Sequence, residues 1–92
     1  ETFKEILLDF VDPATSNISE IEAAFNDRSA DGVARAAHKL KSSSRSVGAI
    51  ELGDLCQALE TAGNSEDWEE IDKSAPRLNG AMQEVTDYIK SL

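Results

Sequence analysis

In the last third of the chain, Ile71, Ala75, Leu78, Met82, Val85, Ile89 and Leu92 recur at alternating spacings of four and three. An α-helix, at about 3.6 residues per turn, is what brings such positions onto one face. A seam of that length has to be buried against other elements. Strand-like alternation is absent from the sequence, so those elements are helices as well. Pro76 interrupts the seam by removing a backbone donor and crowding the preceding turn, which predicts a kink or a break around residues 72–76.

The remaining segments read the same way. Phe3, Ile6, Leu7, Phe10 and Val11 form the stripe of a short leading helix, and Asp12-Pro13 should end it and start the next. Ile18, Ile21 and Phe25 line that second helix, which stops at Asn26-Asp27. Ser29 is placed to cap a third helix with Val33, Ala36, Ala37, Leu40, Ser44 and Val47 inward, and Gly48 to end it in a left-handed turn. Leu52, Leu55, Cys56 and Leu59 mark a fourth helix that ends at Gly63-Asn64, after which Ser65 is expected to cap an acidic first turn containing Glu66 and Asp67. Short connections favour antiparallel neighbours. The expected fold is therefore all-α: an antiparallel up-down four-helix bundle with a short extra N-terminal helix, one domain over residues 1–92.

Charge excludes several functions. The 92 residues carry 18 Asp plus Glu against 9 Lys plus Arg, and a net charge of −9 opposes binding to nucleic acid. It is unevenly spread, with +4 over residues 28–45 and −13 over the rest. On charge alone such a basic island reads first as a solvated helix face, and it would also suit attraction of an anionic group or an acidic partner surface. The longest strictly apolar run, Ile6 to Leu8, is far too short to span a membrane. Cys56 cannot form an internal disulfide and lies on an inward stripe, which makes it a small core residue. One Cys and one His on different helices do not make a metal site, and no glycine-rich loop is present to hold a nucleotide. Trp68 reads as a packing anchor, and the run Ser42 to Ser44 as small residues beside a packed helix. No signal peptide is visible, and a chain that starts with Glu reads as a piece of a longer protein.

The single histidine stands out. On a helical wheel His38 points about 150° away from the inward positions of its helix, while Lys41, Ser42 and Arg45 fall within about 60° of it. An exposed imidazole among cations is thereby expected, either an idle surface histidine or, since a neutral imidazole is a nucleophile, a phosphoryl acceptor. If the third and fourth helices fold back at Gly48-Ala49, residues whose numbers sum to about 98 lie at one height. Glu60 is then level with His38, where its carboxylate would accept a hydrogen bond from Nδ1 and leave Nε2 free to attack.

The stretch Ala37-His38-Lys39-Leu40-Lys41-Ser42-Ser43-Ser44-Arg45-Ser46-Val47-Gly48-Ala49 closely resembles the signature of histidine-containing phosphotransfer (HPt) domains. The resemblance implies that His38 is the phosphoacceptor, that Lys41 assists with the phosphoryl charge, and that Glu60 stands where the family commonly bonds the imidazole. It departs from the family at Ser42, where a glycine usually lets a partner approach closely. It further implies a relay role between receiver-domain aspartates. Mg²⁺ would belong to the receiver, and this chain would need no cofactor. Ala34, Arg35, Lys39, Ser42 and Arg45 are the expected docking residues, with Ala34 on an exposed apolar rim. A cytoplasmic, monomeric carrier is expected, within or apart from a membrane-anchored hybrid sensor kinase. A non-catalytic helical adaptor is the alternative, although such a protein would typically lack the exposed histidine. An acyl carrier is weaker, because the Asp-Ser-Leu acceptor triplet is missing.

Overall fold

A computed structural model describes residues 2–92; Glu1, the first residue of the expected domain, lies outside them. The first helix, α1, runs Phe3–Asn26. The expected break at Asp12-Pro13 does not occur, and there is no separate leading helix: Pro13 sits inside α1. Leu7, Phe10, Ala14, Ile18 and Ile21 form one unbroken buried seam across it. Burial of five apolar side chains, at about 1.5–3 kcal/mol for each large one, outweighs the roughly 3 kcal/mol cost of an interior proline. Asp9, whose carbonyl loses its donor, and Pro13 both lie on the exposed side, so the missing bond is not enclosed in the core. Phe3 and Ile6, expected inward, are exposed: Phe3 precedes the first buried residue of the seam, Leu7, by one turn, and Ile6 lies at the flank of the seam.

Helix α2 spans Ala30–Ser46 and starts as expected, with Ser29 Oγ accepting from the Gly32 N–H at 3.1 Å. Its end is fixed by Gly48 at φ +78°, the left-handed conformation that glycine tolerates without a steric penalty. The Ala49 N–H then reaches back to the Ser44 carbonyl at 2.9 Å, closing the last turn. Helix α3 spans Ile50–Asn64. Asp67, rather than Ser65, caps α4 (Trp68–Ser74), its carboxylate accepting from the Glu70 N–H at 3.2 Å. Ser65 closes α3 instead, its hydroxyl donating to the Thr61 carbonyl at 3.0 Å. The seam breaks where Pro76 predicts it: Ala75–Arg77 form one 3₁₀ turn between α4 and α5 (Leu78–Lys90). Leu92, at the end of the seam, is exposed beyond α5.

The described residues are helical, with no strand among them and no helix long and apolar enough to cross a membrane. Ile21, Val33, Leu40, Leu52, Cys56, Leu59, Ile71 and Leu78 fill the centre of a body 40 × 18 × 18 Å. The most extensive pairing is α2 with α3. They come close at Gly63, where a Cβ would lie 2.7 Å from the Ala30 carbonyl oxygen and 2.9 Å from Ala34 Cβ. Ala34 is accordingly buried in that contact and is not part of an exposed rim.

Candidate functional site

Val33, Ala36, Ala37 and Leu40 are buried, and their burial fixes the rotation of α2. That rotation puts His38 on the outer face, with 61% of its side chain exposed. Across the α2–α3 pairing, Glu60 lies level with it, and His38 Nδ1 is 2.9 Å from Glu60 Oε2. A carboxylate only accepts, so in the neutral ring the proton resides on Nδ1 and Nε2 keeps its lone pair.

The second carboxylate oxygen is also held. Lys41 Nζ donates to Glu60 Oε1 at 2.5 Å and to Gln57 Oε1 at 3.2 Å. Gln57 Nε2 in turn donates to Thr61 Oγ1 at 3.1 Å, which orients the amide with its oxygen toward the lysine. The Lys41 hydrogen bond, aided by that of His38, holds the Glu60 carboxyl below the usual carboxylate range despite the opposing effect of desolvation. Lys41 differs from its expected outward placement, since only 16% of its side chain is exposed. The long aliphatic stem lies along the α2–α3 groove and delivers the ammonium to Glu60.

The other expected docking residues surround the histidine without contacting its ring nitrogens. Arg35 pairs with Asp31 one turn earlier on α2, and Lys39 with Glu20 of α1 at 2.7 Å. Ser42 is exposed one turn beyond His38, and Arg45 is exposed with its stem near Gly53. A hollow of about 490 Å³ opens beside His38, lined by Ala34, Arg35, Lys39, Glu60 and Asn64. Gln57 and Asn64, the latter read from the sequence only as a helix end, also belong to the surroundings of the histidine. The counting rule that pairs 38 with 60 also pairs 41 with 57 and 34 with 64, and so contained both.

Other chemistries find little support. Cys56 is fully buried, and burial pushes its thiol up to about 12, far from a reactive thiolate. Among the described residues, no three His, Cys, Asp or Glu side chains gather as a metal site would require.

Comparison with curated proteins and with solved structures finds no match. Comparison with protein families does: residues 5–89 match the Hpt domain, a span that runs from α1 to the last turn of α5 and includes His38, Lys41 and Glu60. The chain belongs to the Hpt domain family.

Proposed function

We propose that this chain accepts a phosphoryl group on His38 Nε2 from a receiver-domain aspartyl phosphate and passes it to another receiver aspartate. The Hpt family acts in two-component phosphorelays, as a phosphocarrier that works with receiver domains. The observation that carries the reading is the exposed imidazole whose Nδ1 meets a carboxylate that Lys41 keeps ionised.

In the forward step Nε2 attacks phosphorus in line, the P–O bond to the receiver aspartate breaks, and the aspartate leaves as a carboxylate. The ring keeps its Nδ1 proton and becomes a phosphoimidazolium, whose positive charge Glu60 stabilises. Attack by a second aspartate reverses these changes. Glu60 therefore serves both directions, and Lys41 acts by orienting Glu60 and adding positive potential. Mg²⁺ is supplied by the receiver, and this chain contributes positioning and charge.

The basic island around His38 complements an acidic receiver pocket, with Arg35, Lys39, Ser42 and Arg45 on the docking face. Pairings that climb α2 as they descend α3, from Ala34 with Gly63 to Lys41 with Gln57, support an antiparallel up-down course. A monomeric, cytoplasmic carrier fits this reading, as does a place at the end of a hybrid sensor kinase. The test is incubation with a labelled phospho-receiver. Acid-labile, alkali-stable label is expected on the wild type and none on His38→Gln; label elsewhere, or undiminished label in the variant, refutes the assignment.

A further inference from the structure

Resting on the relay reading above, we infer that the phosphoryl group on His38 is received by Arg35 and Asn64, in the hollow on the side of the imidazole away from Lys41. Lys41 does not line that hollow. Two of its hydrogens are committed to Glu60 and Gln57, and its side chain is mostly covered. The cations that do line the hollow are Arg35 and Lys39. Lys39 is tied across to Glu20 of α1. Among the described residues Arg35 pairs only with Asp31, on its own helix, with side chains 79% and 70% exposed. Such a pair contributes little and is easily exchanged for a doubly charged anion. Arg35 is three residues before His38 and therefore on the same face. Its planar fork matches two phosphoryl oxygens, which an ammonium cannot do. Asn64, at the end of α3, brings an exposed amide to the opposite wall.

The test uses phosphoramidate, a small donor that requires no receiver. Nε2 attacks phosphorus, the donor P–N bond breaks, ammonia leaves, and the product ring carries the phosphoryl on Nε2 and its original proton on Nδ1. Arg35→Gln should slow phosphorylation of His38 about fivefold, and Asn64→Ala about threefold, as expected for partly solvated polar contacts. In Arg35→Gln the pH at which the phosphoryl ³¹P signal titrates should rise, because a cation beside the dianion is lost; Arg35→Lys should restore part of both effects. Arg77→Gln, which removes a distant charge, should match wild type. Wild-type rates and an unmoved ³¹P titration in both variants would overturn the inference, as would a loss seen only in Lys41→Gln. Absence of His38 label in the wild type, with the fold intact by NMR, would instead remove the relay reading and this assignment with it.

Discussion

Replacing Gly63 with alanine should damage the bundle and its site together. The new Cβ would meet the Ala30 carbonyl oxygen at 2.7 Å and the Ala34 nitrogen at 2.9 Å, both main-chain atoms that cannot rotate aside. Ordinary contact begins near 3.4 Å, so α2 and α3 must part by roughly 0.7 Å at this height. Overpacking of this kind costs about 1–3 kcal/mol, and the better helix propensity of alanine returns up to about 1 kcal/mol. A net loss of about 1–2 kcal/mol corresponds to a fall in Tm of roughly 5–15 °C for a domain of this size. Glu60 lies one turn from Gly63 and His38 one turn from Ala34, so the 2.9 Å contact between them should open to about 3.6 Å, outside hydrogen-bond range. Thermal unfolding followed by circular dichroism measures the first effect, and ¹⁵N NMR of the His38 tautomer the second. Gly80→Ala supplies the contrast: a Cβ there meets nothing within 4 Å, so only the propensity gain remains and Tm should rise. Gly63→Ala melting as high as Gly80→Ala, with the tautomer unchanged, would refute the reasoning.

Ser44 is fully buried with no partner for Oγ, so Ser44→Ala should raise stability by about 1 kcal/mol, read as a higher urea midpoint; a lower midpoint would show that the hydroxyl has an unseen partner. The Glu60 carboxyl titrates below its unfolded value, so its stabilisation is complete above the ordinary glutamate range and is lost as pH falls through the depressed value. Glu60→Gln should thus be about 1–2 kcal/mol less stable than wild type at neutral pH and equal to it in acid; a gap independent of pH contradicts the pairing. Cys56 should react with a thiol reagent no faster than the chain unfolds, and a rapid reaction under native conditions would place it near the surface.

The α2–α3 hairpin was legible because its signals are local. Ser29, Gly48 and the spacing of Val33, Leu40, Leu52 and Leu59 set both helices and their register, and register alone brings Glu60 level with His38. Pro13 misled because its backbone penalty is visible in the sequence, whereas the buried seam that outweighs it depends on tertiary contacts. The same reason hid Asp67: Ser65 and Asp67 are both good caps, and the Glu66 backbone at φ +55° decides between them. A helical wheel places Lys41 by its Cα, but a four-carbon stem can turn back into a groove, and Gln57, the residue that draws it there, lies on another helix. Ala34 read as rim for want of the one fact that matters, that Gly63 leaves space for only a methyl group beside it.

One mainspring of the design is that His38, Lys41, Gln57 and Glu60 are all numbered outward from the glycine at the hairpin's crest. A single-residue insertion or deletion between 42 and 56 would turn the two rows of side chains out of phase by about 100° and separate every couple at once. The same indel in α1 or α5 would leave these couples in phase and disturb packing or, in α1, the Lys39–Glu20 pair. Length drift is therefore tolerated unequally along this chain, with an inner ruler of some fifteen residues that must keep its count and outer limbs whose length does not set the phase of the site.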